Sequence, residues 1–448
     1  MFNKIKGTKD YNPVSFQVKK QIQEAFERIS STFDFKMIET PIMESASLFK
    51  RSVGETSDIV HKEMYEFKDK GDRDICLRPE GTAPFVRALI ENKWYAENIE
   101  KFAYFGPMFR YEQPQKGRMR QFYQAGVEYI GEKNYLKDVE VIFMAQILLF
   151  NFEIKTTLKI NTIGDAISRK NYAQALTEYL QKYKNELSEQ SQKRLENGGV
   201  LRILDDKRDS KLEFMKNAPK IWDYLSEESK NYFSKIKKTL EEWEIEFEVD
   251  SDLVRGLDYY DEIVFEFVAN DDNVGSQSTL IGGGRYSNLI KELDGPELSS
   301  VGFGFGVDRL MSIIENRIIE EENLKEQIEN YTFYLAVSDT EQNLDFLARV
   351  GNLVLRGLFQ NIKLEYKQIK PKKIFEKAQK YNAEILITDD PQRPDLLLVK
   401  HLETGDKMHI RKSQESLIDL IHFLVDHEIQ EIDPDFAEQF IEGAFGYE

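Results

Sequence analysis

The chain is short of the residues most used for nucleophilic, redox and metal chemistry. It has one cysteine, Cys76, and five histidines in 448 residues. A single cysteine excludes an internal disulfide and fits a reducing compartment, so a cytoplasmic protein is expected. Cys76 lies in the apolar run DICLRP, which suits a buried structural thiol better than a nucleophile. His401, His409, His422 and His427 fall in the last fifty residues, and only His61 accompanies the N-terminal two-thirds. No Cys/His spacing matches a zinc site, so no metal-ligand set is expected, and a Ser–His–acid arrangement has too little to draw on. No apolar run approaches the ~20 residues of a membrane-spanning helix. The opening MFNKIKGTKDYNP lacks the apolar core of a secretory leader, so neither membrane nor export is expected. Positive charge is also short: 61 Lys and Arg stand against 79 Asp and Glu, a net charge of −18. That balance opposes indiscriminate nucleic-acid binding and leaves room for a local basic face.

What the chain has in quantity is aromatic residues and arginine close together. In KFAYFGPMFRYEQPQKGRMRQFYQAGVEYIG, residues 101–131, two apolar strands flank a polar loop. Arg110, Glu112, Lys116, Arg118 and Arg120 gather at that loop. A partly buried guanidinium needs an anionic partner, and its fork suits phosphate or carboxylate. A solvated hairpin tip with scattered ion pairs is the plainer reading.

At 448 residues the chain has room for two or three domains. Apolar spacing predicts a helix over 15–32. KMIETPIME reads as an extended segment broken by Pro41, suited to an edge or an interface. EGTAPFVRALIE reads as a helix whose first N–H groups suit an anion, with Glu80 drawn to a cation. Residues from about 166 to 245 are rich in Lys, Glu, Gln and Asn with helical spacing, and read as a helical insertion, a free-standing module in preference to helices added to the main sheet. In SSVGFGFGVDRL, glycine at alternate positions strips one strand face of side chains, which marks close approach of a backbone or ligand. It is not a dinucleotide fingerprint. After a charged linker, residues 331–428 alternate strand and helix. Their basic run includes Lys363, Lys367, Lys370, Lys372, Lys373, Lys377 and Lys380, which suits either a solvated helix face or a phosphate-backbone surface. Residues 429–448 hold no Lys or Arg and read as a partly ordered acidic extension.

These stretches together carry a resemblance. FRYEQPQKGRMRQFYQAGVE and SVGFGFGVDRL resemble motifs 2 and 3 of class II aminoacyl-tRNA synthetases, and KMIETPIME resembles their dimer-interface motif 1. LRPEGTA, LVRGLDYY, GGGRY and the opening KGTKDYNP are similar to stretches of histidyl-tRNA synthetases. The likeness covers nearly the whole chain. It implies an α+β catalytic domain over residues 1–325, with a mixed, mainly antiparallel sheet and the insertion at about 166–245. A C-terminal α/β anticodon-binding domain over 331–428 and the acidic tail 429–448 complete the expected organisation. The implied activity is ATP-dependent activation of histidine and its transfer to the 3′ end of tRNA(His), with Mg²⁺ and a homodimer.

The resemblance also implies site residues. Arg110 would hold the ATP α-phosphate and the substrate carboxylate. Arg309 and Phe122 would sandwich adenine, Arg118 would meet the γ-phosphate, and Glu112 would join the ATP site. Glu80, Gly81, Thr82 and Gln124 would bind the histidine α-amino end. Glu128 and Tyr260 would bond the imidazole nitrogens, with Tyr259 shaping the pocket. Arg255 would steady the α-phosphate, making Arg255 and Arg110 the catalytic pair. Gln113, Gln115, Arg120, Lys367, Lys370, Lys372 and Lys373 would face tRNA. The chemistry agrees with a site rich in arginine and poor in histidine, because a carboxylate attacking phosphorus needs no general base. Gln113, Met119, Asp261, Glu262 and Ser287 depart from the family's usual residues. A histidine-sensing regulatory subunit of ATP phosphoribosyltransferase is the competing reading, although that family usually lacks the C-terminal domain and several ATP-binding arginines. A stand-alone RNA-binding or sensor module is the third.

Overall fold

The computed structural model describes residues 2–54, 57, 59–112, 119–204, 206, 208–253, 259–270, 279–320, 331–338, 341–411, 413–429 and 433–445. The chain divides into two compact units, Met1–Arg317 and Ile318–Glu448.

Helix α1 (Pro13–Thr32) opens the first unit. Asn12 caps it by accepting from the Ser15 N–H, and Pro13 sits where its missing N–H is harmless. Its apolar stripe, including Val18, Ile22, Phe26 and Ile29, is buried as the spacing predicts. The segment after it is extended, but its halves part company. β1 (Lys36–Ile38) runs parallel to β5 (Lys101–Phe109) in the main sheet, whereas β2 (Met43–Ser45) joins β3 (Tyr65–Lys68) and β4 (Asp74–Leu77) in a small separate sheet. Pro41 lies between them, where the chain changes sheets. Helix α2 (Ala46–Val53) follows β2, and α3 (Thr82–Glu91) precedes β5.

β5 and β6 (Gln121–Gly131) form the antiparallel hairpin, with Phe102 opposite Glu128 and Gly106 opposite Gln124. Then come α4 (Tyr135–Asn151), β7 (Thr156–Gly164), α5 (Ala166–Leu180), α6 (Glu189–Glu196), α7 (Glu227–Glu242) and β8 (Glu248–Val249). β9 (Asp261–Ala269), β10 (Thr279–Arg285), α8 (Leu289–Glu292), β11 (Ser299–Gly306) and α9 (Val307–Glu320) complete the unit. Among the described residues the main sheet has eight strands in the order β1-β5-β6-β11-β10-β9-β7-β8. Only its outer pairs, β1–β5 and β7–β8, are parallel. The mixed, mainly antiparallel sheet expected of a class II synthetase is what is found.

The insertion is part module and part added layer. Tyr172, Leu176, Leu180, Leu195, Ile203 and Ile221 belong to a buried cluster of its own. Helix α7 instead packs on α4, β7 and β9. The reason is its apolar stripe, with Phe233, Ile236 and Leu240 buried against the sheet layer.

In the second unit, β12 (Phe333–Leu335) is parallel to both β13 (Ile362–Leu364) and β14 (Ile385–Asp389). β15 (Leu397–His401) and β16 (Lys407–Ile410) extend the sheet antiparallel. Helices at Glu341–Arg349, Pro371–Lys380 and Gln414–Asp426 surround it. One expectation needs correction. Residues Pro434–Phe445 form a further helix, whose Ala437 and Ile441 are fully buried in the core of this unit. The acidic composition occupies the outer face; Ala437, Phe440 and Ile441 recur at helical spacing, and the Phe440 ring closes over Gly357.

Candidate functional site

The centre of the first unit is a glycine-lined trough beneath the return strand of the hairpin. In β11, Gly302, Gly304 and Gly306 face Glu128, Gly126 and Gln124 of β6 across the antiparallel register. A Cβ at Gly302 would lie 2.2 Å from Glu128 Oε2 and 2.3 Å from the Val127 carbonyl oxygen. A Cβ at Gly304 would lie 2.5 Å from Gln124 Nε2. The bare strand face thus lets two polar side chains lie flat on the sheet.

Glu128 is buried and its two carboxylate oxygens are separately bonded. Thr82 Oγ1 donates to Oε1 at 2.8 Å, and the Tyr286 hydroxyl donates to Oε2. Burial raises its pKa to about 8 against the pull of those hydroxyls. Glu80 is equally buried, and it meets a helix end as well as the positive charge of Arg110. Its carboxylate accepts from the N–H groups of Thr82 (2.7 Å) and Ala83 (2.8 Å), capping α3. Burial raises its pKa, and those two N–H groups offset part of the rise. The first N–H groups of α3 are therefore taken by the chain's own carboxylate. Both acids sit where a helix start and hydroxyls replace water.

Aromatic rings wall the trough. Tyr259 lies 4.8 Å from Tyr260 and 5.5 Å from Tyr286 between ring centroids. All three are buried with Phe85, Phe102 and Leu253 in one cluster. The Tyr104 ring fills the space that a Cβ at Gly81 would need, and its buried hydroxyl is turned toward Thr82 and Glu128 without a well-formed hydrogen bond to either. A buried hydroxyl in that condition can bond a polar ligand.

The cationic rim comes from the hairpin and α9. The Arg110 guanidinium lies over the Phe122 ring, 5.4 Å from its centroid, and Nε donates to the Pro79 carbonyl at 2.8 Å. Arg309 donates to the Thr279 carbonyl at 2.7 Å. Asp308 fastens the rim: it accepts from the Tyr123 N–H (2.7 Å) and the Tyr11 hydroxyl (2.5 Å). The N-terminal segment is thereby drawn onto α9, and the Gly7 carbonyl accepts from the Arg120 N–H at 2.7 Å. Arg120, expected at a tRNA face, stacks on Tyr111 at 3.9 Å and donates to the Glu112 carbonyl at 3.3 Å. Glu112 stands at the loop entry. Gln113, Gln115, Lys116, Arg118 and Arg255 lie outside the described residues.

Three departures from the family pattern find partners within the first unit: Asp261 and Ser287 bond each other, and one oxygen of Glu262 is paired. Asp261 accepts from the Ser287 N–H and hydroxyl, both at 3.1 Å. Glu262, at a φ of +50°, pairs with Lys133 Nζ at 2.6 Å. In the second unit, Lys367, Lys370, Lys372 and Lys373 are exposed. Lys377 is held by Glu365 at 2.5 Å, and Lys363 lies over the Tyr331 and Tyr381 rings.

A family model described as histidyl-tRNA synthetase matches residues 7–310. The chain belongs to the histidyl-tRNA synthetase family. A histidine–tRNA ligase of Lactococcus lactis subsp. cremoris (strain MG1363) is 44% identical over 428 residues, covering 94% of this chain and 95% of the relative. One from Mycoplasma mobile is 40% identical over 432 residues, covering 96% and 94%. The apo histidyl-tRNA synthetase of S. aureus superposes with a TM-score of 0.75 at 33% identity, covering 96% of this chain and all of that one. A structure described as an ATP phosphoribosyltransferase regulatory subunit/histidyl-tRNA synthetase from Bacillus halodurans C shares the fold, at 21% identity and a TM-score of 0.59.

Reading the sequence missed three residues of this trough and its rim. Tyr286 bonds Glu128, Tyr104 presents a buried hydroxyl, and Asp308 ties the rim to Tyr11. GGGRY and DRL were visible as motifs, but neither spacing shows that Tyr286 and Asp308 turn toward β6. Those directions follow from sheet register.

Proposed function

We propose that the trough is the histidine-activation centre, with Glu128 and the tyrosines around it reading the imidazole. The family's reaction is the activity of this chain: histidine is joined to AMP by ATP, then transferred to tRNA(His). The observation that carries the site assignment is the buried Glu80–Thr82–Glu128–Tyr286 constellation under the bare face of β11. Glu128, with Tyr260 and Tyr286, offers acceptors and donors that match both ring nitrogens. A buried polar pocket rejects analogues by ~10⁴ or more, because a wrong ligand leaves groups unpaired. Glu80 and Gln124 present oxygens to the α-amino group, and Thr82 lies between Glu80 and Glu128.

In the first step a histidine carboxylate oxygen attacks the α-phosphorus, a new P–O bond forms, and the P–O bond to pyrophosphate breaks. The nucleophile is already ionised, so the barrier lies in bringing anions together and neutralising the leaving group. Arg110 at the rim supplies fixed positive charge where the carboxylate and α-phosphate meet. Arg255 adds to it in this proposal, with Arg118 at the γ-phosphate and Phe122 with Arg309 around the adenine. Mg²⁺ comes with the nucleotide. Such an ion would be held mainly by phosphate oxygens and one carboxylate. Glu112 is the residue that would accompany it, and the ion would neutralise phosphate charge. In the second step a terminal ribose hydroxyl of tRNA(His) attacks the histidyl carbonyl and AMP leaves.

The four exposed lysines at 367–373 are proposed as part of the anticodon-side surface. A homodimer is proposed through β1 and β2, where the apolar side chains of Met37, Ile42 and Met43 are exposed. No described helix is long and apolar enough to cross a membrane, and we place the protein in the cytoplasm. Histidine-dependent ATP–pyrophosphate exchange tests the activation centre. Arg110→Ala is expected to lower exchange by about 10²-fold or more. Exchange at the wild-type rate in that variant would remove Arg110 from the chemistry.

A further inference from the structure

Two hydrogen-bonded arms run from the helical insertion to the wall of the trough. The first starts at α5. Gly164, at a φ of +67°, turns the chain out of β7, and Asp165 caps the helix. The Asp165 carboxylate accepts from the N–H and hydroxyl of Ser168, each at 2.7 Å, and from the Ser226 hydroxyl at 2.7 Å. The starts of α5 and α7 are thus fastened to one carboxylate. From this fixed turn Arg169 Nη1 donates to the carbonyl of Tyr260 at 2.8 Å. The second arm starts at the turn Ile221–Tyr224. Trp222 Nε1 donates to Asn161 Oδ1 at 2.9 Å, and Asn161 Nδ2 donates to the buried carbonyl of Leu253 at 2.9 Å. Lys220 pairs with Asp252 at 2.5 Å beside it.

Both arms end on backbone carbonyls of the same wall. Tyr260 and Leu253 pack with Tyr259 and Tyr286 in one buried cluster, and Tyr286 bonds Glu128. A bond to a carbonyl fixes where the chain runs whatever its side chain does, and one from a guanidinium is the stronger kind. We propose that the insertion is a positioning element for the amino-acid pocket: Arg169 and the Trp222–Asn161 pair set the tyrosine wall against Glu128. This rests on the reading of that pocket as the histidine site. It makes the insertion part of amino-acid selection in the first step, before any tRNA is bound.

The test is pyrophosphate exchange without tRNA on the full-length protein. Arg169→Met is expected to raise the KM for histidine about tenfold, the loss of one charge-assisted bond. The KM for ATP should stay within about twofold. Arg169→Lys, which keeps a cationic donor, should recover most of the loss. Trp222→Phe keeps the ring and removes only the donor, so it should shift the same parameter the same way even if Arg169→Met folds poorly. Equal rises in both KM values without recovery in Arg169→Lys would mark a merely structural role and overturn the proposal. Unchanged histidine KM in Trp222→Phe and Arg169→Met would also overturn it. Tyr260→Phe reports on the pocket separately. A raised histidine KM there with none in the arm variants sinks the coupling alone. No change in any of the variants sinks the pocket reading and the coupling with it.

Discussion

Glu128 sits with a raised pKa of about 8 because burial disfavours its charge more than two hydroxyl donors restore it. In the unfolded chain a glutamate titrates near 4.5. Between those values the folded protein holds a proton that the unfolded chain has released. Stability is therefore greatest below the unfolded value and falls as pH rises toward 8. Glu128→Gln should flatten that decline in a series of thermal melts from pH 5 to 8, and it should sharply raise the KM for histidine. A melting curve with the wild-type pH slope in the variant would show that another group carries the proton. The buried pair of Arg285 and Asp138 follows a different logic. Arg285 Nε donates to Asp138 at 2.9 Å, and Tyr232 shares the same carboxylate. Removing one partner strands the other charge, so Arg285→Ala should lose about 3–5 kcal/mol in urea unfolding. Both residues were visible in the sequence only as one arginine in GGGRY and one acid at a helix start. Their meeting needs residues 147 apart to be neighbours.

At the scale of elements, β11 shows how a strand can be read correctly and still understated. Alternate glycines announced a close approach, and that is what the fold contains. What approaches was open between backbone and ligand; in the structure the Val127 carbonyl approaches Gly302, and the Glu128 and Gln124 side chains of the same neighbouring strand lie beside it. Gly302→Ala would bring a methyl to 2.2 Å from Glu128 Oε2 and 2.3 Å from a carbonyl. The backbone contact has no rotamer escape, so histidine-dependent exchange should fall at least tenfold while far-UV circular dichroism stays close to wild type. Exchange within twofold of wild type would mean the trough can widen. The C-terminal helix teaches the converse. Its acidic composition suggested a solvated extension, because charge dominates a residue count. Ala437 and Ile441 supply the buried stripe that a count conceals. Ile441→Ala is expected to cost about 2–5 kcal/mol in the stability of the second unit, read by urea unfolding.

For the whole molecule, charge is partitioned by use. The net charge is −18, yet the described part of the second unit presents Lys367, Lys370, Lys372 and Lys373 in the open. Replacing Lys370, Lys372 and Lys373 with glutamate should raise the KM for tRNA in aminoacylation and leave exchange without tRNA unaltered. The salt dependence of that KM should weaken as well, since fewer phosphate counterions are released on binding. An unchanged KM would place the RNA contact elsewhere. A substitution of Met43 by aspartate tests the proposed dimer surface, with sedimentation as the readout and a shift toward monomer as the expected result.

By itself the sequence determined the chemistry class and the order of the parts. Few histidines, one cysteine, an arginine-rich hairpin and a glycine strand are local facts, and local facts survive without a fold. The resemblance that the motifs carry implied the α+β sheet, and helical and strand–helix patterning gave the insertion and the α/β unit. Only the tertiary structure decided which groups meet. Glu80 caps α3 through the Thr82 and Ala83 N–H groups, and the fold also brings the charge of Arg110 to bear on it. Arg120 stacks on Tyr111. The tyrosine of GGGRY had no assigned role and proves to hold Glu128. The Tyr286–Glu128 pairing spans 158 residues and depends on strand register, which apolar spacing within any one segment does not contain.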